Sequence, residues 1–261
     1  MKDKIMRISR RHFLQFLTMS AVASWEMLPV LAQTAPVYCP IMMYHHISPP
    51  PETTNQHLID NAVPPEAFAQ HLDYVQQAGF TAITMRTLWA GMIGATTLPE
   101  KPIVFTFDDG YWSAYAHAAP LLLQRGMTGT IYVITGMADQ PGYLTWGQIH
   151  ELHNSGIEIG SHSVIHGDMS RQPKNQQRNE IEQSTLAIEA HLGIRPTAFA
   201  YPFGRQNGIT RNLLAEYGYT TAVTTQDSTL HYTSNPYQMG RVRVRNSTTL
   251  AALPWLTNRR S

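Results

Sequence analysis

Two short segments carry most of the chemistry legible in this 261-residue chain. Thr106-Phe107-Asp108-Asp109-Gly110 sets two adjacent carboxylates at the end of an apolar run, and His162-Ser163-Val164-Ile165-His166 sets two imidazoles four residues apart. One carboxylate and two imidazoles make a three-ligand metal site with an open position for water, and the second carboxylate is then free to act as a base. That is the equipment for metal-assisted hydrolysis. Each motif also has a plainer reading. Asp-Asp-Gly is a common solvated turn, and paired histidines occur on surfaces and as caps. If His162 and His166 lie on a helical turn, both rings face one way and reach one ion. Neutral imidazoles with a carboxylate suit Zn²⁺, with Co²⁺ or Ni²⁺ as alternatives. Ser163 and Asp168 are candidates to orient the rings through hydrogen bonds.

The elements that must position these residues follow from periodicity. Strand-length apolar runs, at 41–44, 80–84, 103–107, 130–134, 157–159, 198–200, 220–224 and 241–244, alternate with helical patterns at 65–78, 87–93, 115–124, 145–154 and 175–191. Pro65 suits the first position of a helix, Gly79 its stop, and Thr145 an N-cap. Such alternation implies an α/β fold with a mostly parallel sheet and crossover helices. Seven or eight units suggest a barrel. Asp108, Asp109, His162 and Phe203 each follow a predicted strand, so they belong at the same, carboxyl end of the sheet.

Composition narrows the function. Residues 1–32 begin with Lys2, Lys4, Arg7, Arg10 and Arg11 and continue into an apolar stretch, the pattern of a secretory signal. Ser9-Arg10-Arg11-His12-Phe13-Leu14 resembles a twin-arginine export signal. The expected mature domain is 33–261, periplasmic or extracellular. The segment carries net +3 of a whole-chain charge of +1, leaving −2 and no basic excess for a nucleic-acid partner. No later apolar run is long enough to span a bilayer. Cys39, the single cysteine, rules out an intramolecular disulfide and reads as a buried thiol. No cysteine cluster, dinucleotide fingerprint or haem motif supports redox chemistry.

Together with Tyr201-Pro202-Phe203-Gly204, the two motifs resemble, in order, the polysaccharide deacetylase superfamily (carbohydrate esterase family four) over roughly 38–250. The resemblance implies a single-domain distorted (β/α) barrel of about seven parallel strands. It implies Asp109, His162 and His166 as metal ligands and Asp108 as general base. It implies the Phe203 backbone N–H as an oxyanion donor, with Tyr201 and Trp146 lining the substrate cleft. The implied substrate is an N-acetylated polysaccharide or oligosaccharide, and the expected state is a monomer. Two departures stand out. Many members carry an Arg in the third motif, paired with an Asp before the Trp; here Ala200 and Thr145 stand there, so both halves of that charged pair are missing. Many members also carry a C-terminal Leu-x-His that supplies the general acid, and Gly240-Arg241-Val242-Arg243-Val244 has no histidine. Exported poly-N-acetylglucosamine deacetylases place a histidine after the first strand instead, which makes His45 the expected acid and His46 the runner-up. The rival readings are O-acetyl ester hydrolysis by the same machinery and a non-catalytic glycan-binding protein.

Overall fold

The computed structural model describes residues 35–257, so the expected signal segment lies outside the described residues. Seven strands carry the architecture: β1 (Ile41–Tyr44), β2 (Pro102–Phe107), β3 (Thr130–Val133), β4 (Glu158–Ser161), β5 (Ala198–Ala200), β6 (Thr221–Val223) and β7 (Val242–Arg243). They lie in the order β6-β5-β4-β3-β2-β1-β7, and every neighbouring pair is parallel. The sheet curls into an incomplete barrel. Its two edges are stitched by one bridge, between Val223 and Met239 just upstream of β7. The 80–84 run shortens to Thr81–Ala82, which pairs only with the start of β2.

All residues of β1 to β6 are buried, as expected for a parallel sheet covered on both faces. Alternation then sorts them. Ile103, Phe105 and Phe107 join the apolar layer beneath the helices, while Val104 joins Tyr132, Ala198, Ala200 and Val223 in a second cluster.

Six helices matter here: α1 (Pro65–Gln77), α2 (Met85–Met92), α3 (Ala119–Leu123), α4 (Trp146–Asn154), α5 (Lys174–Leu192) and α6 (Gly208–Glu216). Phe68, Leu72 and Val75 form the buried face of α1. Thr145 caps α4 in a reciprocal capping box with Gln148. The helix expected over 115–124 divides into a π-helical turn, Ala114–Ala118, and α3. The cause is Pro120, which has no N–H for the ladder and crowds the carbonyl four residues back. Cys39 is fully buried, as its composition context suggested. No described helix is long and apolar enough to cross a membrane.

Candidate functional site

The carboxyl end of β2 delivers both aspartates. Asp108 N–H still donates to Tyr44 O of β1, at 3.0 Å, so its backbone belongs to the sheet. The chain then reverses through two left-handed residues, Asp109 (φ 73°) and Gly110 (φ 72°). A side chain at Gly110 would press on the Val133 backbone, which is why a glycine completes this turn.

The reversal aims Asp109 at the two histidines. Its Oδ1 lies 3.3 Å from His162 Nε2 and 3.4 Å from His166 Nε2. The histidines do not share a helical turn. They flank a loop after β4, folded back by left-handed Ser163 (φ 66°) and His166 (φ 58°). Helix geometry is ruled out because Glu180 of α5 captures the loop's backbone: its Oε2 accepts from Val164 N–H at 2.9 Å and Ile165 N–H at 3.1 Å. Ser163 Oγ accepts from His166 N–H at 3.0 Å, so it shapes the backbone and does not orient a ring. Asp168 is likewise occupied elsewhere, by Ser170 and by Arg205 at 2.8 Å. The ring of His162 is fixed instead by Ala200 O, 2.7 Å from Nδ1. A proton on Nδ1 leaves the Nε2 lone pair facing Asp109.

The donor set fits a divalent ion. Asp109 Oδ1 is buried and has no hydrogen-bond partner, an arrangement that costs energy unless something else satisfies it. The three candidate ligand atoms lie within 4.8 Å of one another. Two ligand atoms about 2.1 Å from a common tetrahedral ion would be about 3.4 Å apart, which matches both Asp109–His spacings. The three groups influence one another closely: burial lowers His162, but its contact with Asp109 and the charges of Asp108 and Asp109 outweigh that and raise it. Burial pushes the Asp109 carboxyl up, but the contact and charge of His162, then the charges of His45 and His166, hold it below the usual carboxylate range. His166 is lowered by burial and by the His162 charge, which favours the neutral, ligating form.

Asp108 has a partner the sequence reading missed. Arg241, from the chain entering β7, is fully buried and grips it through two bonds of 2.7 Å, Nη1 to Oδ1 and Nη2 to Oδ2. Arg241 also donates to Thr106 Oγ1 at 3.1 Å and Thr224 O at 3.0 Å. Ala200 and Thr145 lack the family's charged pair, as expected, and a different arginine reaches Asp108 from the opposite flank of β2. Burial raises the Asp108 carboxyl, and the Arg241 charge and hydrogen bonds outweigh it, holding it below its ordinary value. The available signal was alternation, since Arg241 and Arg243 fall on one face of a short strand otherwise made of valine.

A cavity of about 410 Å³ opens over these groups. His45 and His46, directly after β1, both line it, as do Tyr201 and Phe203. Burial pushes His45 down to about 4, against the pull of Asp108 and Asp109, and its Nδ1 is buried without a partner. His46 stacks on Tyr111, ring centroids 3.6 Å apart, and Tyr111 continues to Tyr143 at 5.1 Å, forming an aromatic wall. Phe203 is left-handed (φ 59°) in a 3-10 turn, and its exposed ring meets His166 at 4.6 Å. Trp146 is not a wall of this cavity. It starts α4, and its ring stacks on His191 of α5 at 4.0 Å, 6° from parallel.

A parallel, curled half-barrel with an Asp-His-His cluster and a buried aspartate at its carboxyl end defines a class, and the chain belongs to the polysaccharide deacetylase family. The family profile matches residues 95–222. Among individual relatives, the putative polysaccharide deacetylase YxkH of Bacillus subtilis is 30% identical over 209 residues, covering 80% of this chain and 72% of that protein. The poly-beta-1,6-N-acetyl-D-glucosamine N-deacetylase of Escherichia coli K12 is 22% identical over 228 residues, which is 70% of this chain but 34% of that protein. The Streptococcus pyogenes deacetylase PplD, solved in complex with acetate, superposes with a TM-score of 0.79 at 26% identity, covering 86% of this chain and 100% of that one. Family membership makes the protein a hydrolase.

Proposed function

We propose that this protein is a metal-dependent hydrolase that removes N-acetyl groups from amino sugars of a polysaccharide. The observation that carries the reading is Asp109 Oδ1, buried, unpartnered and within 3.4 Å of two imidazole nitrogens, beside a second buried carboxylate. Asp109, His162 and His166 would hold the ion, Zn²⁺ by donor type, with Co²⁺ or Ni²⁺ able to substitute. When bound, the ion supplies Lewis acidity to water and to the acetyl carbonyl oxygen.

The remaining chemistry belongs to the chain. Asp108, kept ionised by Arg241, takes a proton from the attacking water; each of its oxygens retains a lone pair after the guanidinium is satisfied. The Phe203 N–H, at the start of a turn where N–H groups have no intrahelical acceptor, donates to the developing oxyanion. His45 delivers a proton to the departing amine. Buried and neutral at rest, it does so after the proton that Asp108 took from the water has passed to it, a protonation that the charges of Asp108 and Asp109 favour. Residues 1–32 suit export of a folded, metal-loaded cargo; sequencing the N-terminus of protein recovered outside the cytoplasm tests that part.

The function is tested by acetate release from N-acetylglucosamine oligomers and from acetylated xylan, using apo-protein restored with Zn²⁺, Co²⁺ or Ni²⁺. Release from the amino-sugar oligomers supports the proposal. Release from xylan alone makes the protein an esterase, and release from neither overturns both.

A further inference from the structure

The active-site cavity does not end at the metal centre. A second cavity, of about 380 Å³, shares two wall residues with it, Thr225 and Arg243. Both volumes fall in the range of small-ligand sites, roughly 300–1,000 Å³. The second chamber also meets Arg241, Arg245, Asp227 and the side chain of Trp255, which is 62% exposed.

Its arginines are not equivalent. Arg241 is neutralised by Asp108, and Arg245 faces Asp60 at 3.8 Å. Arg243 hydrogen-bonds only Asn61 Oδ1, at 2.7 Å, and has no carboxylate at ion-pair distance among the described residues. Its Nε is buried without an acceptor. Asp227 lines the second chamber and a third cavity, and Arg243 lines the second chamber and the active-site cavity. The junction between the two chambers is therefore a fixed cation, with an exposed aromatic ring beyond it. A half-satisfied guanidinium at a cavity wall is suited to an oxyanion.

We propose that the second chamber is a binding subsite for an anionic substituent, carboxylate or phosphate, on the sugar next to the one that is deacetylated, with Arg243 as its recognition residue. The proposal deepens the deacetylase reading and rests on it for the identity of the neighbouring group. It implies an acidic glycan as substrate class.

The test uses three N-acetylated oligosaccharide sets: neutral N-acetylglucosamine oligomers, glycan strands alternating N-acetylglucosamine and N-acetylmuramic acid, and an N-acetylglucosamine phosphodiester oligomer. Binding is measured by calorimetry and acetate release in parallel, for the wild type, Arg243→Gln and Arg243→Lys. The expected result is tighter, salt-sensitive binding and higher kcat/KM for one acidic set. Arg243→Gln should cut that acidic-over-neutral ratio about tenfold, the scale of one charge-assisted hydrogen bond. Arg243→Lys should restore part of it. The acidic set preferred tells carboxylate from phosphate. Neutral oligomers that release acetate without any acidic preference overturn the subsite and leave the deacetylase reading standing. An acidic binding preference without acetate release from any set overturns the deacetylase reading and leaves the subsite. Loss of both overturns both.

Discussion

Arg241 and Asp108 are joined by two parallel hydrogen bonds of 2.7 Å each, with both side chains buried and Asp108 at the wall of the active-site cavity. The pair fixes the plane of the carboxylate and its charge together. A buried pair of this kind is not by itself stabilising, but breaking it is costly, since the surviving charge is left without a partner.

Asp108→Asn should lower acetate release by about 10²–10⁴, the usual loss for a general base, while bound metal, measured by elemental analysis, stays near the wild-type ratio. Its melting temperature should also fall, because Arg241 is stranded. Wild-type turnover in this variant would remove Asp108 from the mechanism.

Arg241→Met leaves the burial of Asp108 opposed only by the charges of His162 and His45, so its carboxyl rises. The base is active when ionised. The acid limb of the kcat/KM profile should therefore move to higher pH, and stability should drop by about 3–5 kcal/mol. The double variant Asp108→Asn, Arg241→Met should recover much of that stability. An unmoved acid limb would show that Arg241 does not set the base.

Asp109→Ala, His162→Ala and His166→Ala should each lose bound metal on dialysis against a weak chelator that leaves the wild type loaded. Chelator-stripped wild type should regain activity on titration with Zn²⁺, and the three variants should not. Retention of stoichiometric metal by all three would refute the ligand set.

Glu180 touches neither histidine ring, yet it holds the two N–H groups between them. Glu180→Ala should weaken metal affinity by about 10–100-fold, as for other supporting residues around metal sites. Glu180→Gln, which keeps an acceptor oxygen, should lose less. Competition against a chromogenic chelator reads the difference without reference to turnover.

His231 lies away from the cleft, donating from Nε2 to Cys39 O at 2.8 Å. Burial lowers it from 6.5 to about 4. Between those values the unfolded chain binds the proton and the folded chain does not, so stability is complete above pH 6.5 and falls as pH drops toward 4. The group accounts for on the order of 3 kcal/mol over that window. His231→Gln should flatten the slope of stability against pH there. An unchanged slope would place the acid sensitivity in other groups.

Much of this protein is decided locally, and that part was legible from sequence. Buried strands such as Ile103-Val104-Phe105-Thr106-Phe107 declare themselves by composition, and parallel alternation with helices sends every strand's carboxyl end the same way. Asp108, Asp109, His162 and Tyr201 lie within two residues of such ends, so their convergence needed no knowledge of contacts. What the tertiary structure alone decided is who stands beside them. The histidine loop is bent by left-handed residues and by a carboxylate from another helix, forces absent from the spacing of two histidines. Trp146 turns to His191 because α4 packs along α5. Arg241 meets Asp108 across 133 residues, because β7 docks beside β1 and curls toward the flank of β2. Residue type sets what charge a side chain brings. The energy of that charge depends on distance and burial, and those exist only once the barrel has formed.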